Sequence, residues 1–92
     1  MKLRFTKLNG DCAGDYGDGV ARIDLSKDYN PGSTAVHEAI HHLYPELPEK
    51  KVRLWERKIW RNLPYTKKLD VYRQLINRRT NLIIRIVKET IG

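Results

Sequence analysis

Three histidines fall within the run His37-Glu38-Ala39-Ile40-His41-His42, and the 92-residue chain has no others. His37 and His41 are four apart. On a helix that spacing is about one turn, a rise of about 5.4 Å, so both imidazoles leave the same side and can hold one ion. Glu38 directly follows the first histidine. From there its carboxylate can take a proton from a metal-activated water without being a ligand itself. This is the H-E-x-x-H arrangement, in which two neutral imidazoles bind Zn2+ and the glutamate assists attack of water on a carbonyl. The competing reading is an ordinary histidine-rich solvent face, since five letters also arise by chance.

A catalytic zinc site uses three protein ligands and an open position for water. No histidine follows His42, so attention passes to the carboxylates of the next predicted helix. There Val52, Trp55, Ile59 and Leu63 define an apolar face. At about 100° per residue Glu56 lies only about 30° from its middle. A carboxylate aimed into a core is costly unless something compensates it, and a cation does so. Glu56 is therefore the expected third ligand. Glu49, at the edge of the same face, is the alternative, although an acidic residue in a first helical turn also simply favours the positive end of the helix dipole. His42, Asp24 and water alone complete the set of candidates.

His42 leaves its helix about 100° from His41, which assigns it a place behind the ligands or at the surface. Tyr44 could orient a substrate, against the commoner reading of a packed tyrosine near a helix end. Cys12 is the only cysteine, so no internal disulfide forms. It reads as a bystander thiol, with approach to the metal from its loop as the lesser alternative.

The elements that must position these residues are legible as periodicities. Leu3 and Phe5 alternate with Lys2, Arg4 and Thr6, and Ala21, Ile23 and Leu25 alternate with Arg22, Asp24 and Ser26. Residues 1–8 and 20–26 thus read as half-buried strands, paired as an antiparallel hairpin across the glycine- and aspartate-rich stretch between them, which reads as a flexible loop. Helices are predicted over residues 34–44, capped by Ser33 or Thr34, over 48–63 behind Pro48, and over 66–90. The last has Leu69, Tyr72, Ile76, Leu82, Ile83, Ile86 and Val87 on one face, with a break foreseen at "NRRTN". The expected fold is α+β: a small N-terminal hairpin packed on three helices in one domain, residues 1–92.

The stretch "TAVHEAIHHLYPELPEKKVRLWE" resembles the zincin metallopeptidases, in particular minimal gluzincin-type H-E-x-x-H proteins of phage genomes. The Pro-x-Leu-x-Glu-x-x-Val trailer of those proteins is matched by Pro45, Leu47, Glu49 and Val52. The likeness covers about residues 20–60. It implies a strand beside an active-site helix, His37 and His41 as zinc ligands, Glu38 as the base, a third ligand from a glutamate of the following helix, and a peptide or protein as substrate. The edge of the hairpin would bind an extended peptide by strand addition.

Charge is divided unevenly. Residues 1–49 carry five Lys/Arg against eight Asp/Glu, a net −3, whereas residues 50–92 carry thirteen against three, a net +10. Arg73, Arg78, Arg79, Arg85 and Lys88 concentrate on the last predicted helix. They read first as solvated helix surface, which gives weak, sequence-independent nucleic-acid binding that fades near physiological salt. The alternative is a zinc-stabilised basic module that binds nucleic acid or an acidic protein. The N-terminus lacks the apolar core of a signal peptide and no apolar run is long enough to span a bilayer, so the expectation is a soluble, cytoplasmic protein.

Overall fold

The computed structural model describes residues 1–28 and 30–92. Strands β1 (Lys2–Phe5), β2 (Gly14–Gly17) and β3 (Val20–Ile23) precede helices α1 (Pro31–Leu43), α2 (Glu49–Asn62), α3 (Tyr65–Ile76) and α4 (Asn81–Ile91). The fold is a small α+β domain with a three-stranded mixed sheet in the order β1-β3-β2.

The first and last strands are not the two arms of a hairpin. β1 runs parallel to β3, with Leu3 opposite Ala21 and Phe5 opposite Ile23. The antiparallel partner of β3 is β2, which lies inside the stretch that reads as loop. Asp18 and Gly19 both take left-handed backbone angles (φ 51° and 76°). Two such residues in succession form the tight turn whose twist matches that of paired strands, and Asp-Gly is a preferred pair for it. With that side of β3 taken, β1 pairs on the other side, and the intervening chain is long enough for a parallel return.

β3 also ends earlier than its alternation suggests. Leu25 is 53% exposed and Asp24 only 2%. The Asp24 carboxylate accepts hydrogen bonds from Ser26 N–H (3.0 Å), Ser26 Oγ and Leu8 N–H (2.9 Å). These bonds, that of Ser26 foremost, hold the carboxyl well below the usual carboxylate range. Polar satisfaction therefore outweighs side-chain alternation here.

Helix α1 begins three residues before the predicted start. Asn30 caps it, its Oδ1 accepting from Ser33 N–H (3.2 Å), with Pro31 in the first turn where a missing N–H does no harm. The same Oδ1 accepts from Tyr72 Oη (2.7 Å), which ties α3 to the cap. Ala35, Val36, Ala39 and Ile40 are fully buried, and α1 packs against β2, β3, α2, α3 and α4. Its small residues permit this crowding. A Cβ at Gly32 would lie 2.3 Å from the Trp60 ring, so Gly32 is what lets the α2 indole lie on α1.

The helix predicted over 66–90 is two helices, α3 and α4, broken at the foreseen stretch. Arg78 N–H bonds to Leu75 O and Arg79 N–H to Gln74 O (2.9 and 2.8 Å), with Arg78 left-handed at φ 53°. This is the double hydrogen bond that ends helices, with arginine where glycine is usual. The break rotates the burial pattern: Val71 and Leu75 pack inward, whereas Leu69 (37%) and Ile76 (75%) are exposed.

Gly32→Ala should destabilise the protein by about 1–3 kcal/mol, the usual range for overpacking a filled core. Urea unfolding measures this, and Gly32→Ala combined with Trp60→Leu should recover part of the loss. An unchanged midpoint for Gly32→Ala would show that the α1–α2 approach does not depend on this glycine.

Candidate metal centre

The α1 side chains that escape burial converge with the first turn of α2. His37 Nε2 lies 2.8 Å from Glu49 Oε1, His41 Nε2 lies 2.8 Å from Glu49 Oε2, and the two Nε2 atoms are 3.1 Å apart. These ligand atoms all lie within 4.8 Å of one another, so His37, His41 and Glu49 could hold a metal ion. They line a cleft of about 330 Å³ with Glu38, Pro45 and the β2 residues Gly14, Asp15 and Tyr16.

Glu56, the expected third ligand, stands on the other side of His37. Its Oε1 is 2.6 Å from His37 Nδ1, and its Oε2 accepts from Ser33 Oγ at 2.6 Å. The helical periodicity correctly turns Glu56 towards α1, but what compensates its burial is a ring N–H and a hydroxyl. Burial alone would raise its carboxyl; the bonds from His37 and Ser33 outweigh it and hold the carboxyl below its ordinary value. In its neutral form an imidazole that donates Nδ1–H to a carboxylate keeps its Nε2 lone pair free for a cation, and in its protonated form it donates from Nε2 to Glu49 as well. Burial likewise disfavours protonated His37. The hydrogen bond to Glu56 and the charges of Glu38, Glu49 and Glu56 prevail, and its pKa is raised.

Glu38 lies at the inner wall of the cleft and is 4% exposed. Burial pushes its carboxyl up to about 7; His37 opposes this, and Glu49, Asp15 and Glu56 add to it. A Cβ at Gly14 would come within 2.6 Å of Thr34 Cγ2 and 3.2 Å of Glu38 Oε2. Glycine at this position lets β2 pass directly over the carboxylate.

Tyr16, absent from the sequence-derived candidates, forms part of the strand wall. Its Oη donates to His42 Nδ1 at 2.6 Å, and the rings meet edge to face. Burial, the chain's N-terminus and Lys88 lower the His42 pKa, which suits a neutral acceptor. His42 thus stands behind Tyr16 and outside the ligand cluster. The Asp18-Gly19 pair is the signal that would have placed Tyr16 on a strand. Tyr44 ends α1 and packs against the core without lining the cleft. Asp24 is engaged at the end of β3. Cys12 is exposed, bonds Gly14 O through Sγ (3.0 Å), and lies on an adjoining cleft that also reaches His37, Glu38 and Glu49. Of the basic residues, Arg73, Arg79 and Arg85 come together in a separate cleft, whereas Arg78 lies over the Phe5 ring and Lys88 is outside it.

No protein-family model, curated protein or solved structure matches the chain.

The buried carboxyl makes the metal-free protein sensitive to pH. Native Glu38 keeps its proton to about pH 7, whereas the unfolded chain releases it near 4.5. The native state binds the extra proton between those values, so stability falls as pH rises through that window, by up to about 3 kcal/mol. His37 acts in the same direction, its contribution present below the unfolded pKa and lost as pH rises through the raised native one. Glu38→Gln should remove the Glu38 share, leaving the chelator-treated variant more stable than wild type at pH 8 and nearly equal at pH 5. Urea unfolding at both pH values checks this, and parallel pH profiles would contradict it.

Proposed function

We propose that this protein is a zinc-dependent peptidase of the minimal zincin kind, with His37, His41 and Glu49 holding the metal and Glu38 acting as general base. The observation that carries the reading is the convergence of two imidazole Nε2 atoms and a carboxylate beside a buried carboxyl, in a cleft open to water. The donors suit zinc: nitrogens about 2.0–2.1 Å from a tetrahedral ion stand about 3.3 Å apart, close to the 3.1 Å separation of the two Nε2 atoms. Three donors with one side open favour catalysis over a closed structural site, which uses four.

Zinc at these donors would supply Lewis acidity, polarising a carbonyl and making water more acidic. The chain's own residues account for the remaining requirements. Glu56 fixes the ring orientation and tautomer of His37. Glu38 takes a proton from the attacking water and returns it to the leaving amine; its low exposure keeps its basicity from being spent on bulk solvent, and a neighbouring dication would stabilise its charged form. Tyr16, held by His42, forms part of the opposite wall of the cleft. β2 is the sheet edge at this cleft, so an extended peptide can pair with its free side.

Glu38→Gln should retain about one zinc per chain but lose hydrolysis by at least about a hundredfold, because an amide cannot accept the proton. Glu49→Gln should weaken zinc binding most. Glu56→Gln should weaken it by about 10–100-fold through loss of orientation. Elemental analysis and zinc competition titrations, with casein-type and peptide-library assays, decide these points. Full zinc content in both His37→Ala and His41→Ala would end the metal reading. Active Glu38→Gln would end the assignment of the base.

A further inference from the structure

We propose that the α3–α4 corner is a phosphate-binding cleft that takes the backbone of a nucleic acid. Arg73, Arg79 and Arg85 line one cleft of about 340 Å³ together with Gln74, Asn77 and Asn81 and a single carboxylate residue, Asp70. The arginines come from the last turn of α3, the connection and the second turn of α4. The helix break is what gathers them. The paired bonds to Gln74 O and Leu75 O turn the chain, Arg78 accepts the left-handed angle, and Arg79 is carried into the cleft. Gln74 Oε1 also accepts from Leu82 N–H (2.9 Å), which locks α4 against α3 and leaves the Gln74 amide N–H groups for another partner.

Three guanidinium groups around one cleft repel each other, and the one carboxylate that lines it, Asp70, offsets this only in part. Among the described residues Arg79 and Arg85 have no ion-pair partner, and Arg73 has only Asp70 at 3.5 Å. An exposed pair at that distance contributes little. The planar, five-donor guanidinium matches phosphate oxygens, and the amides of Gln74 and Asn81 add donors without adding charge, whereas Asn77 Nδ2 already donates to Arg73 O (3.1 Å). The cleft is open and lacks apolar walls that would enclose a small phosphorylated molecule; Leu82 is its one apolar lining residue. Its surroundings favour a longer polyanion, since residues 50–92 carry a net +10. It shares no lining residue with the metal cleft, so the site stands or falls independently of the peptidase reading.

The test is fluorescence anisotropy with a labelled duplex and a labelled single strand, each of about 20 nucleotides, between about 50 and 200 mM salt. The triple variant Arg73→Gln/Arg79→Gln/Arg85→Gln should lose at least about tenfold in affinity. Its salt slope should shrink by about 2–3, as expected for three lost phosphate contacts. The control Lys51→Gln/Lys58→Gln/Arg61→Gln removes equal charge from α2 and should change affinity by less than about threefold. All six residues are exposed; should thermal melting nevertheless show an unfolded cleft variant, Arg85→Gln alone against Arg61→Gln makes the same comparison. Equal losses in cleft and control variants would reduce the effect to diffuse charge and overturn the proposal. So would absence of binding at about 50 mM salt, or displacement of the oligonucleotide equally well by polyglutamate of matched charge, which would assign the cleft to acidic proteins.

Discussion

A helix packed on most of its circumference can offer chemistry only along the strip left open, and α1 is such a helix. Strands β2 and β3 and all three other helices pack against it. Its inward positions are Gly32, Ala35, Val36, Ala39 and Ile40, mostly small, because neighbours approach closely on several sides. The remaining strip carries His37 and His41. Glu38, one residue on, lies about 100° around the helix from His37, at the border between the strip and the β2 side. That border position makes the carboxyl both buried and adjacent to the cleft. Its raised pKa is a consequence of packing before it is a property of any reaction.

The same crowding explains how α2 serves the site twice. Glu49 and Glu56 are two turns apart on one face of that helix, and both meet His37 from opposite ends of its ring. One carboxylate takes Nδ1 and the other Nε2, so the imidazole is gripped along its length. Without a cation, His37 must share its protons among several carboxylates while His41 Nε2 sits 3.1 Å away. Three glutamates and two imidazoles at close quarters carry an excess of negative charge when the imidazoles are neutral, which a dication relieves.

The parts legible in the sequence were those fixed by local periodicity. One turn of helix put His37 and His41 on one side, and the apolar face of α2 correctly turned Glu56 inward. Direction alone could not say which atom Glu56 would meet. That depends on how far α2 slides along α1, where Trp60 rests on Gly32, a contact between distant residues with no local signature. The sheet departs from the expected hairpin for a different reason. Glycines and aspartates at residues 9–19 look like loop by composition, yet Asp18-Gly19 is also strong turn chemistry. Reading it as such gives β2, removes the hairpin between the outer strands, and brings Tyr16 to the site. Asp24 and Leu25 reversed their expected exposures because three donors for a carboxylate outweigh one leucine's burial.

Composition likewise located the positive charge but not its arrangement. On one continuous helix Arg73, Arg79 and Arg85 would be spread around the axis: six residues advance about 600°, so each would be displaced by about 120° from the one before. They share a cleft only because the helix breaks between Ile76 and Asn81. The break has an energetic cost, since Arg78 adopts a left-handed angle that glycine would take more readily. The Phe5 ring beneath its guanidinium, 5.6 Å from the centroid, offsets part of that cost and anchors the turn to β1. The strand that the sheet turned from hairpin arm into parallel edge thus also holds the corner that gathers the arginines. The metal cleft, built from α1, α2 and β2, shares no side chain with the arginine cleft.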